Sequence, residues 1–214
     1  MTRTVHSLCV SLALVFAGVM TVSAEPSFDC AKAQSAAEST ICGAEALQWL
    51  DRQLARLFAQ VKASVTGEDR ADLLASQKAF LAARDACPAA YECIAAVYHK
   101  RLKELADMTG FPESYRQYHM DGEVRGDMTI VRIGDSGAVD IATIGGGDHT
   151  CVAEFDRGVI SGKGVITGKL GEEAEACTIT ITPNGENMDV VTQHCDAYCG
   201  MRATIDGQYE AVPR

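Results

Sequence analysis

The cysteines are the feature that most constrains this chain. There are nine in 214 residues, and an odd set in an exported protein would leave a free thiol or need an intermolecular partner. The N-terminus resolves the oddity. Arg3 precedes an apolar run from Leu8 to Val22, and Val22-Ser23-Ala24 places small residues just ahead of Glu25. That is the pattern of a secretory signal peptide over residues 1–24, cleaved after Ala24. The run falls short of the roughly 20 apolar residues that span a bilayer, and Ser and Gly interrupt it. Cys9 sits near the start of this segment, poorly placed for a lipid anchor, and is expected to leave with it. An even set then remains, which in an oxidising compartment reads as disulfides. Cys30, Cys42, Cys87 and Cys93 lie before residue 110, and Cys151, Cys177, Cys195 and Cys199 lie beyond residue 114.

The boundary between the two sets is also a change of period. From Cys30 to about Met108 the apolar residues recur three and four apart. Ser35-Ala36-Ala37-Glu38 has capping-box spacing for a short helix to about Cys42. Leu47, Leu50, Leu54, Leu57, Phe58, Val61 and Val65 form one stripe on a helix over about 44–64. Two further helices follow over about 69–86 and 91–106, with Pro88 between them. Beyond Pro112 the period is two. Cys177-Thr178-Ile179-Thr180-Ile181-Thr182 alternates, Pro183-Asn184-Gly185 turns the chain, and Met188, Val190 and Thr192 resume on one side. Shorter runs at 128–133, 139–144, 150–155, 159–167 and 201–205 also read as strands. The expected fold is α+β in two segregated, disulfide-stapled domains: an antiparallel helical bundle over 25–110 and a small antiparallel β barrel or sandwich over 114–214.

Four cysteines allow three pairings in each half. The fold-back before Ser35 favours Cys30 with Cys42, and the turn at Pro88 favours Cys87 with Cys93. In the strand half Cys151 and Cys177 both point inward, so an inter-strand bridge between them is geometrically cheap.

Other motifs carry little chemistry. His149-x-Cys151 with His194-Cys195-x-x-x-Cys199 contains zinc-ligand residue types, but without a CxxC pair and in an exported chain the sulfurs are better read as disulfides, so no metal is expected. Gly134-Asp135-Ser136-Gly137 reads as a β-turn rather than a serine nucleophile. Gly162-Lys163-Gly164 departs from a phosphate loop at Lys163 and Leu170. No catalytic residues and no cofactor are implied, and the chain reads as a non-enzyme. Arg84, Asp85 and Arg101, with Asp51 and Gln77, are expected to form interhelical ion pairs and hydrogen bonds. Trp49 projects off the apolar stripe with Gln53, Arg56 and Gln60. It either packs on the neighbouring domain or stands exposed as a partner-binding residue.

The formal net charge is -10, from 29 Asp+Glu against 19 Lys+Arg. A nucleic-acid partner needs a basic patch and is not expected. The acidity is uneven: residues 114–214 hold 16 Asp+Glu and 8 Lys+Arg, whereas residues 25–113 hold 13 and 10.

The helical residues resemble a known family, the LprI-type lysozyme inhibitor N-terminal domain. The resemblance rests on Phe28-Asp29-Cys30-x-Lys32-Ala33, Glu38-x-x-Ile41-Cys42, Leu47-x-x-Leu50-Asp51-x-x-Leu54, Leu74-x-x-Gln77-x-x-Phe80-Leu81-x-x-Arg84-Asp85-x-Cys87, Cys93 and Tyr98-x-x-Arg101-x-x-x-Leu105. It covers about residues 28–106, with Phe80 where the family commonly has Trp. It implies a disulfide-stapled, exported helical domain whose partner is lysozyme, in a periplasmic or secreted protein. The alternative is an envelope structural or small-ligand-binding module. The strand half is more loosely similar to β domains that accompany such modules, through Cys195-x-x-x-Cys199-Gly200-x-Arg202-Ala203. Host lysozymes are cationic, and an acidic domain would steer their approach.

Overall fold

The structure is a computed structural model that describes residues 25–171 and 175–214. The expected signal peptide, 1–24, lies outside the described residues. Ser35 caps the first helix, α1 (Ala36–Cys42), through the anticipated capping box: its hydroxyl accepts from the Glu38 backbone N–H, while the Glu38 carboxylate accepts from the Ser35 N–H. Then come α2 (Glu45–Ser64), α3 (Gly67–Asp85) and α4 (Tyr91–Met108). Leu47, Leu50, Leu54, Leu57 and Val61 of α2 are buried as one stripe, packed with Ile94, Leu102 and Leu105 of α4.

Eight strands follow: β1 (Tyr115–Met120), β2 (Arg125–Ile133), β3 (Ser136–Ile144), β4 (Thr150–Ser161), β5 (Val165–Leu170), β6 (Cys177–Asn184), β7 (Asn187–Gln193) and β8 (Gly207–Ala211). Each pairs antiparallel with the next, and β8 returns to β1, closing a barrel. Of the two expected architectures, it is the barrel that forms. The lumen is filled by Met128, Ile130, Ile141, Phe155, Ile166, Ile179 and Ile181. Phe155 lies so close to β5 that a Cβ on Gly168 would come within 2.4 Å of its ring. Only glycine fits there.

Two strand expectations need correction, and two strands carried no expectation. The closing strands β1 and β8 carry Arg, Gln, His and Glu among their few apolar residues, so neither showed a clean alternation in the sequence. The run 159–167 is not one strand, because a turn at Gly162–Gly164 with Lys163 at φ 63° divides β4 from β5. Residues 201–205 form no strand. Arg202 takes φ 64° there, which breaks an extended path, and Ile205 turns inward as part of the barrel core.

The domains are segregated in sequence but not in packing. Tyr115, Val131 and Ala138, from the outer face of the barrel, belong to the same apolar cluster as the helices.

Candidate functional site

The residues that carry the family resemblance build the bundle rather than a reactive centre. Asp51 on α2 is buried, and its carboxylate accepts from the Tyr98 hydroxyl at 2.7 Å and from the Ser27 backbone N–H at 2.6 Å. Burial and the Asp51 charge hold the Tyr98 phenol far above its ordinary pKa, so it remains a donor. The Tyr98 ring meets Phe80 edge-on at 5.2 Å, the position where the family commonly has Trp. Arg84 reaches back to Glu38 at 3.1 Å and pairs with its neighbour Asp85. Arg101 donates to Gln77 and Ser76 of α3. Of the interhelical contacts expected among these residues, Arg101 with Gln77 forms, whereas Arg84 reaches Glu38 of α1 and Asp51 is held by Tyr98 and Ser27 rather than by an arginine. A buried charge left without such partners would cost several kcal/mol.

Of the two placements the sequence leaves open for Trp49, the structure shows packing on the neighbouring domain. The residue is fully buried, and its indole N–H donates toward the Phe155 carbonyl of β4 at 3.5 Å. The side chain is part of the seam between bundle and barrel and is not available as an exposed anchor. The same face of α2 supplies Arg52, which binds Glu154 and Asp156 at 3.0 Å each, Gln53, which donates to Asp156 at 2.6 Å, and Arg56, which donates to the Asp156 carbonyl. An off-stripe polar face with one tryptophan was therefore the signature of a second packing surface. Asp140 lies at this seam, where burial and then the Glu154 charge push its carboxyl up to about 7.

The disulfides of the helical half pair as the spacing favoured, Cys30 with Cys42 and Cys87 with Cys93. In the strand half they are Cys151–Cys199 and Cys177–Cys195, not Cys151–Cys177. Both of the inward-pointing cysteines do face the core, but they stand on β4 and β6 with β5 between them. The 194–206 loop enters this end of the barrel and takes each one separately. These sulfurs are disulfide atoms, not thiolates available to a metal. Among the described residues, no group of three or more His, Cys, Asp or Glu is placed to hold one.

The stapled loop closes one end of the barrel. Cys195 and Ile205 sit in the core, Thr143 donates to the Thr204 carbonyl at 2.8 Å, and the Gly200 N–H donates to Thr150 at 2.9 Å. A Cβ on Gly145 would fall 2.1 Å from the Arg202 carbonyl, so the 145–149 turn presses directly on the loop. Outward, the loop presents Tyr198 and Met201, the latter 77% exposed. It is a solvent-facing element tethered by two disulfides, which lower the ordering cost a loop meets on binding a partner.

Residues 30–105 match the model of the family described as lysozyme inhibitor LprI. The match spans α1 to nearly the end of α4 and includes both helical disulfides; it does not extend into the barrel. No curated protein and no solved structure matches the chain. Among the described residues no helix is long and apolar enough to cross a membrane.

Proposed function

We propose that this protein is an exported, non-enzymatic inhibitor of lysozyme that protects the cell wall. The observation that carries the reading is the LprI match over residues 30–105. Four disulfides support an extracytoplasmic site, since such bonds persist where the environment is oxidising. Residues 1–24 serve in this reading as the export signal. The chain's charge of -10 favours approach of a cationic enzyme.

Within this reading the partner is met by the 194–206 loop, because Tyr198 and Met201 are exposed on a doubly stapled support. The test is inhibition of lysozyme turnover on cell walls by protein beginning at residue 25. Near-stoichiometric inhibition is expected, with a Met201→Glu variant at least about tenfold weaker at unchanged melting temperature. Full inhibition by M201E would move the contact elsewhere.

A further inference from the structure

The end of the barrel opposite the disulfides is open, and two arginines point into it. Arg116 of β1 lies across from Ile130, and Arg132 of β2 lies two residues beyond it, so both share the inward face with lumen residues. With Tyr118, Lys163, Pro183 and Met188 they line a cavity of about 380 Å³. Arg116 has partial partners, Glu113 at 3.6 Å and the Tyr118 ring at 6.0 Å. Arg132 has no hydrogen bond or ion pair among the described residues. The Nε atoms of both arginines are buried without an acceptor. One other buried side-chain atom among the described residues is orphaned, the Ser136 hydroxyl, at the first position of β3 on this same end.

Buried guanidinium donors are ordinarily paired, because leaving one unpaired forfeits its hydration without compensation. Here inward-facing cations with orphaned donors converge on one cavity in a chain whose net charge is -10. Barrel mouths are a common place for small ligands, and arginine forks match planar oxyanions. The lining holds three cations, Arg116, Arg132 and Lys163, and two carboxylates, Glu113 and Glu186. That balance suits a monoanion better than a phosphate dianion. The Tyr118 ring, Pro183 and Met188 add an apolar wall. We propose that this barrel mouth is a binding site for a small carboxylate with an apolar body, held by Arg132 and Arg116. The site is independent of any contact with lysozyme.

The test uses benzoate, acetate and inorganic phosphate as probes in titration calorimetry, with wild-type protein from residue 25 and an Arg132→Met variant. Benzoate should bind saturably at one site, with phosphate and acetate each about tenfold weaker or more. Arg132→Met should lose at least about tenfold in benzoate affinity. Without added anion, the variant should melt at the same temperature as wild type or higher, since it removes an uncompensated charge; only wild type should gain melting temperature with benzoate. Unchanged benzoate binding in the variant, no saturable binding of any probe, or tighter binding of phosphate would overturn the proposal. So would a markedly lower melting temperature of the anion-free variant, which would make Arg132 a structural residue.

Discussion

Trp49 shows how a single side chain ties sequence to architecture. It lies off the stripe that builds the bundle, yet it is fully buried because the barrel covers that face of α2. Trp49→Ala would leave a large void at the seam, and loss of about 3–5 kcal/mol is expected. Thermal melting checks this; a change below about 1 kcal/mol would mean that the seam is open in solution. Asp140 gives a second prediction. Its carboxyl is raised to about 7 in the folded protein, by burial first and by Glu154 second, whereas the unfolded chain releases that proton near its ordinary value of 3.8. The folded state therefore holds the proton more tightly, and the associated stability is full below about pH 4 and lost as pH rises through about 7. Asp140→Asn has no proton to lose. Relative to wild type it should gain about 1–2 kcal/mol between pH 4 and pH 8, allowing for solvent screening at this half-buried site. A difference that does not vary with pH would contradict the assignment.

At the scale of elements, the bundle and the barrel were legible to different degrees. The helices announced themselves because one face of each packs on its neighbours, giving apolar spacing of three and four, with Ser35 and Pro88 marking ends. The central strands were readable for the same reason at period two. What escaped was whatever depended on contacts distant in sequence. Strands β1 and β8 close the barrel by pairing Tyr118 with Ala211 and His119 with Glu210, and residues of such mixed polarity carry no local pattern. Cys151 and Cys177 were correctly placed on inward faces, but their partners depend on a loop path fixed only once the barrel closes. The arginines at the barrel mouth face inward beside apolar neighbours, so β2 reads locally as an ordinary strand end. The cross-link between Cys151 and Cys199 spans a sequence separation of 48, which restricts the unfolded chain strongly. A Cys151→Ala/Cys199→Ala double variant should lose about 2–5 kcal/mol. Denaturant melts measure that loss, and an unchanged midpoint would mean that the loop is held by its other contacts alone.

On the scale of the whole molecule, a bundle with a family match and a barrel without one share a continuous apolar seam. Tyr115, Val131 and Ala138 pack into the helical core, and Arg52 binds Glu154 and Asp156 across the boundary. The two units should therefore melt as one, and residues 25–110 expressed alone would expose Trp49 and the arginines beside it. Steering by the acidic surface would act over about a Debye length, so salt should slow association with a cationic partner while leaving the folded protein intact. The proposed inhibition of lysozyme is read out by lysozyme turnover of cell walls, titrated with intact protein from residue 25 at low and high salt. Inhibition complete near a one-to-one ratio at low salt, and weaker as salt rises, is the predicted result. Undiminished turnover at a large molar excess in low salt would contradict it.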